Sequence, residues 1–272
     1  MSWMDEAWRL IDRPTVATTL NSAPPMVFVT ISGAHCYGFA SADSDIDVRG
    51  VFILPLEDLI GLREPRDNLS FTRTVNGTEL DFVAHDLRKF AHMMTRHNGL
   101  VLEQLYSPLV FYADFEILNE LRGLGLGCLT TGLYRHYFGF ARGRRKRLRE
   151  PGATVKHLLY AYRALMTGIH VLQGHGIEAN INVLNEHFRL PQIADLVARK
   201  SAGSENQHLG QDELSIHELE LDHLEVSLQV AHEKSRLPDE PTTDRELNDC
   251  IIRIRLAQSG AAMPNDRPGM DG

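Results

Sequence analysis

The spacing of apolar residues changes character near residue 86, and that change sets the class of fold. Upstream, apolar residues come in short β-branched runs or alternate with polar ones, the period of two that a strand requires. Downstream they recur every three or four residues, as on one face of a helix. Met26-Val27-Phe28-Val29-Thr30-Ile31 follows Pro24-Pro25 and reads as a buried strand. Residues 32–38 read as a tight turn. Asp45-Ile46-Asp47-Val48-Arg49 alternates and runs into Val51-Phe52-Ile53-Leu54, a strand exposed at its start and buried further on. Residues 55–60 open with Pro and acids, as a short helix does. Asn76-Gly77 separates two strand-like runs, 69–75 and 78–84. A two-residue hairpin turn needs positive φ at both positions, which this dipeptide tolerates, so at least two strands are antiparallel. That argues against an all-parallel doubly wound sheet, and a mixed sheet is expected.

From Asp86, a natural N-cap, Leu87, Phe90, Ala91 and Met94 follow helical spacing, with Asn98-Gly99 as the stop. Phe115, Leu118 and Leu121 mark a second helix, and Leu129, Leu133, His136 or Tyr137, and Phe140 a third. Val155, Leu158, Leu159, Tyr162, Leu165, Met166 and Ile169 mark a fourth. Residues 201–211 read as a polar loop, 213–234 and 244–257 as two further helices, and the stretch after Gln258 as a disordered tail. The expected fold is α+β: a small mixed sheet unit over 1–110, a helical unit over 111–257, and a tail over 258–272.

With 272 residues, 43% of them apolar, the chain can bury a substantial core. Its formal charge of −8 excludes a uniformly basic, nucleic-acid-coating surface. No apolar run approaches a membrane span, so no membrane partner is expected. The first residues carry acid where a signal peptide needs positive charge. Cys36, Cys128 and Cys250 are odd in number and lack C-x-x-C spacing, which disfavours a disulfide scaffold or structural zinc and suits a reducing cytoplasm. The thirteen histidines form no H-E-x-x-H pattern, and neither a P-loop nor a dinucleotide fingerprint is present.

The chemistry concentrates in Ser32-Gly33-Ala34-His35-Cys36-Tyr37-Gly38 and Ser44-Asp45-Ile46-Asp47. Residues i and i+2 of a strand share a face, so Asp45 and Asp47 project together. Two close carboxylates repel unless a cation sits between them, and an all-oxygen set favours Mg²⁺ or Mn²⁺. Asp81, on the second hairpin strand, is a candidate third ligand. A small glycine turn brings backbone N–H groups up to phosphate oxygens.

These motifs resemble the DNA polymerase beta-like nucleotidyltransferase superfamily, and more narrowly a family of predicted bacterial and phage nucleotidyltransferases. The residues that carry the resemblance are Gly33-Ala34-His35-Cys36-Tyr37-Gly38, Ser44-Asp45-Ile46-Asp47-Val48-Arg49-Gly50-Val51, Asp81, Leu87-Arg88-Lys89-Phe90, Glu103-Gln104-Leu105, Lys156-His157-Leu158 through Arg163, and Leu237-Pro238. It spans most of 26–256. The resemblance implies an enzyme that moves a nucleoside monophosphate from an NTP to a hydroxyl, releasing pyrophosphate. It implies Asp45, Asp47 and Asp81 as metal ligands and catalytic acids, and Gly33, Ala34, Ser44, Arg49, Lys156 and Arg163 as nucleotide-binding residues. Ala34 stands where the family has Ser, a loss on the order of 1 kcal/mol of hydrogen bonding to phosphate. That substitution supports a second reading, a catalytically weak or inactive nucleotide-binding regulatory module.

Other residues divide between function and structure. His35 and Tyr37 either stack on a base or pack on the sheet, Glu79 either joins the metal shell or faces solvent, and Arg49 either contacts phosphate or forms a structural ion pair. Arg142-Gly143-Arg144-Arg145-Lys146-Arg147-Leu148-Arg149 has six cations in eight residues. It is a candidate RNA acceptor contact, or a solvated helix end whose cations suit the C-terminal dipole.

Overall fold

The computed structural model describes residues 2–21, 23–75, 77–203 and 208–259, with the main chain alone at Gln211. Asn76, part of the polar loop over 201–211, and nearly all of the tail expected after Gln258 lie outside the described residues.

Two short helices, α1 (Trp3–Leu10) and α2 (Arg13–Leu20), precede β1 (Met26–Ile31). Then come α3 (Gly33–Tyr37), β2 (Ile46–Phe52), α4 (Leu56–Ile60), β3 (Asn68–Val75) and β4 (Thr78–Asp86). The strands join β5 (Val110–Ala113) in a five-stranded sheet of order β3-β4-β2-β1-β5. The expected hairpin is present: β3 and β4 run antiparallel, with Gly77 at φ 84°. β1 is antiparallel to both β2 and β5, whereas β2 and β4 are parallel, so the sheet is mixed and the fold is α+β. Alternation in β2 and β4 sends Ile46, Val48, Leu80, Phe82 and Ala84 into the core. It leaves Asp47, Arg49, Asp81 and His85 half-buried on the other face.

Asp86 caps α5 (Leu87–Thr95), accepting from Arg88 N–H at 2.9 Å. α5 ends at Thr95, three residues ahead of the expected Asn98-Gly99 stop, and Asn98 opens the next helix, α6 (Gly99–Tyr106). Its side chain accepts from Leu100 N–H. Asn is as good an N-cap as a stop, and local sequence does not choose between them. The turn at 32–38 is wound into one helical turn, α3, too short for any periodicity to reveal. β5 carries the sheet to Ala113, beyond the expected boundary at 110.

Helices α7 (Phe115–Gly125), α8 (Leu133–Leu148), α9 (Val155–Leu172), α10 (Ile181–Phe188), α11 (Pro191–Ala202) and α12 (Gln211–Lys234) follow. α9 is the central one, buried over most of its length by α8, α10, α11 and α12. The last helix, α13 (Asp244–Ser259), returns to the sheet unit and packs on α4, α5 and α7. There Arg255 donates to Asp86 at 2.6 Å and to the Leu54 carbonyl at 2.9 Å. Among the described residues, no helix is long and apolar enough to cross a membrane.

Candidate active site

Asp47 on β2 and Asp81 on β4 are direct partners in the parallel ladder. Side chains at partnered positions share a face, and here both carboxylates reach one nitrogen. Arg49 Nη2 donates to Asp47 Oδ1 at 2.6 Å and to Asp81 Oδ2 at 2.9 Å. Its Nη1 donates to the Asp81 and Val48 carbonyls, so the guanidinium is held flat along the strand edges. Burial pushes the Asp47 carboxyl above its usual range; Arg49 opposes that shift and the Asp81 charge adds to it.

The glycine turn is backed onto this pair. Ser32 N–H donates to the Asp47 carbonyl at 2.8 Å, tying the end of β1 to β2. Gly33 follows at φ +60°, and a Cβ placed there would lie 1.8 Å from Asp47 Oδ2. Both the left-handed backbone and the close approach require glycine. At the far end of the turn, Gly38 at φ +84° offers its carbonyl to Asn182 Nδ2 of α10 at 2.7 Å.

The opposite wall comes from α8 and α9. Arg144 lies over the rings of Phe140 and Tyr160, 4.9 and 4.8 Å from their centroids. These three residues line the same cleft as Gly33, Asp47 and Arg49, a hollow of about 330 Å³ that Asn98 and Gln104 also border. Lys156, half-buried one helical turn before Tyr160, acts on Asp47 electrostatically and favours its charged form. Burial, with the neighbouring charges of Arg144, Lys156 and Arg147, holds His157 below its usual pKa. Carboxylates on the sheet therefore face a cationic helical wall. A larger hollow of about 710 Å³ lies away from this pair, bordered by Leu62, His92 and Asn248. Charge placement, not size, marks the smaller cleft as the candidate site.

Residues 14–253 match the family model described as RlaP, RNA repair pathway DNA polymerase beta family. The chain belongs to that family. Among curated relatives, it is 31% identical over 150 residues to the uncharacterized protein MJ0002 of Methanocaldococcus jannaschii, covering 54% of this chain and 60% of the relative. It is 27% identical over 190 residues to the uncharacterized protein YcgL of Bacillus subtilis, covering 66% of this chain and 71% of the relative. The match thus spans about three fifths of the archaeal relative's length.

Within this RNA repair pathway polymerase beta family fold, the expected site residues fall into two groups. Gly33, Asp47, Arg49 and Asp81 are brought together, with Lys156 near. Asp45 lies half-buried immediately before β2. Among the described residues, no three His, Cys, Asp or Glu side chains stand close enough to hold a metal ion. The cation between Asp47 and Asp81 is instead the Arg49 guanidinium. Two converging carboxylates already bridged by a positive group are the donor chemistry a hard divalent ion takes, so the residues fit such an ion, which Asp47 and Asp81 would hold.

The second group is sealed beneath the surface. Arg163 is fully buried, its guanidinium 3.9 Å from the Tyr37 ring centroid and paired with Glu103 at 2.8 Å. Burial opposes its charge, but Glu103 and the neighbouring tyrosines outweigh that and raise its pKa. In this arrangement it braces the turn from below, its guanidinium enclosed between Tyr37 and Glu103. Ser44 is likewise buried. Its hydroxyl accepts from Ser41 N–H at 3.0 Å and from Lys200 Nζ at 3.4 Å, which holds the loop ahead of Asp45. Ala34 is buried at the start of α3, and His35 and Tyr37 pack inside. Glu79 is exposed.

The basic run on α8 divides in a way composition does not reveal. Arg145 is buried and ion-paired with Glu218, Asp222 and Glu225 of α12, so it is neither solvated nor free for nucleic acid. Arg144 faces the cleft. Sequence reasoning missed Arg144 and Tyr160 as cleft residues, and Lys200 as a buried support. The signal for Arg144 was the four-residue spacing from Phe140, which places both on one helix face.

Proposed function

We propose that this protein is a divalent-metal-dependent nucleotidyltransferase that moves a nucleoside monophosphate from an NTP to a hydroxyl on an RNA end. The observation that carries the reading is the in-register pair Asp47 and Asp81, beside a glycine turn and opposite Lys156 and Arg144. The family's description, RNA repair, is what favours RNA as the acceptor.

In the reaction, the acceptor oxygen forms a bond to the α-phosphorus. The bond from that phosphorus to the bridging oxygen breaks, and pyrophosphate leaves with the electron pair. Asp81, the more open of the two carboxylates at 34% exposure against 24%, takes the acceptor proton. Asp47 and Asp81 would hold the metal, which when bound neutralises phosphate charge and lowers the pKa of the acceptor hydroxyl. The Gly33 turn presents main-chain N–H groups to phosphate oxygens, and Lys156 and Arg144 oppose the negative charge from the helical wall. Arg49, released from its carboxylates, is positioned to meet the same charge.

Incubation of the full chain with labelled NTPs, Mg²⁺ or Mn²⁺ and RNA oligonucleotides should label the RNA and release pyrophosphate. Asp47→Asn and Asp81→Asn should each reduce turnover by at least a hundredfold while leaving the circular-dichroism spectrum unchanged. Undiminished transfer by either variant would refute the assignment. Tight NTP binding by the wild type without any transfer would favour the regulatory-module reading that Ala34 supports.

A further inference from the structure

Helix α12 carries two apolar stripes on opposite sides. Leu214, Leu221, Leu224, Leu228 and Ala231 are buried, and the helix packs on α8 and α9. A second series, Ile216, Leu219, His223, Val226 and Val230, is offset from the first by two residues, about 200° around the helix, and points outward. Its apolar members are strongly exposed: Ile216 70%, Leu219 65%, Val226 64% and Val230 39%. Their spacing of three, four, three and four residues is the seam repeat of a coiled coil. Scattered surface apolar residues need no explanation, but four on one seam do.

We propose that the outer face of α12 is a self-association surface on which two copies of this chain pair through antiparallel helices. The seam is self-complementary under a two-fold axis near its middle, as an isologous dimer requires. Charge selects the antiparallel direction. Asp212 and Glu220 flank the N-terminal half, whereas the C-terminal end carries Lys234 and the exposed Arg236 against one exposed acid, Glu233. Antiparallel pairing sets the basic end of one copy against the acidic end of the other, and parallel pairing would set like against like. Three further acids of this helix, Glu218, Asp222 and Glu225, are already partnered by Arg145.

A receptacle is also present. A groove of about 690 Å³ runs beside the seam, lined by Val226, Val230 and Lys234 of α12 with Ile169, Leu172 and Leu237. In the antiparallel register that places Leu219 of one copy over Val230 of the other, Ile216 and Leu219 enter this groove, and the symmetric copy does the same. The four exposed apolar side chains offer roughly 400 Å² per copy, a patch of functional size. Two copies with their flanking residues approach the ~1,200 Å² at which stable interfaces begin.

Sedimentation and light scattering of the full chain, across a wide concentration range, should give twice the 30.6 kDa monomer mass. Leu219→Glu and, separately, Val226→Glu should return it to monomer mass with an unchanged circular-dichroism spectrum, since both sites are exposed. Orientation is read by a spin label at Ser215→Cys, an exposed position of the helix, the natural cysteines being buried. Antiparallel helices place the two labels roughly 30 Å apart and parallel ones about 10 Å. A monomer at every concentration, a dimer indifferent to both substitutions, or the short label distance would overturn the proposal. None of these outcomes bears on nucleotide transfer, because the seam lies on the far side of α12 from the helices that wall the cleft.

Discussion

Gly33 shows how a single position is constrained twice. Its positive φ costs a residue with a Cβ about 1 kcal/mol or more, and the space that Cβ would take already belongs to the Asp47 carboxylate. Gly33→Ala should therefore displace Asp47 and lower turnover at least tenfold, while thermal unfolding shows a loss of only a few degrees. Wild-type activity in that variant would mean the turn does not set the carboxylate's position. His35, two residues on, makes a different prediction. Burial drives its pKa down to about 4, with Lys200 nearby adding to the shift and the Ser44 backbone opposing it. The unfolded chain binds that proton near 6.5, so between about 6.5 and 4 the unfolded state holds more protons and stability falls as pH falls. The full effect is on the order of 3 kcal/mol. His35→Gln should flatten the decline in unfolding midpoint across that window; an unchanged pH profile would show that another group is responsible.

Elements meet through polar contacts that periodicity does not report. Glu103 on α6 accepts from the Tyr37 hydroxyl at 3.2 Å and from Arg163 of α9, so one carboxylate joins the glycine turn, the sheet unit and the central helix. Removing it strands a guanidinium that is fully buried. Glu103→Ala should cost about 3–5 kcal/mol, whereas Glu103→Gln, which keeps a hydrogen-bond acceptor, should cost less. Equilibrium urea unfolding of both variants measures the difference, and equal losses would show that the charge, which both variants remove, accounts for the whole effect. This scale also shows where the sequence was legible. The strands over 26–31 and 69–84, and the helices after 86, 115, 155, 213 and 244, were visible because each is long enough for its apolar period to repeat. Asp86 was legible as an N-cap because that chemistry is local. α3, β5 and the start of α6 were hidden, since elements of four or five residues show no period and an Asn cap looks like an Asn stop.

At the scale of the whole molecule, the chain closes on itself. α13 returns from the helical unit to the sheet, and Arg255 pairs with Asp86 at the edge where β4 passes into α5. Asp86 is 1% exposed, so Arg255→Met leaves its charge buried with only the Arg88 and Leu54 N–H groups to satisfy it. A destabilisation of about 3 kcal/mol is expected. It should appear as a single cooperative transition at lower denaturant, because α13 and the sheet then unfold together. Early loss of α13 alone, seen by hydrogen exchange, would argue that the last helix is an independent appendage.

The sequence by itself determined which residues share a face. Alternation put Asp47 and Arg49 on one side of a strand, and Asn76-Gly77 required the hairpin that carries Asp81. Only the tertiary structure decided that β4, and not β3, lies beside β2, which brings Asp81 to Asp47 and lets Arg49 reach both. It also decided that Arg144 enters the cleft while Arg145 turns to α12, and that Arg163 lies buried beneath the turn. Faces follow from local backbone geometry, which a short stretch of chain encodes. Neighbours follow from the packing of segments tens of residues apart, and no local pattern carries that information.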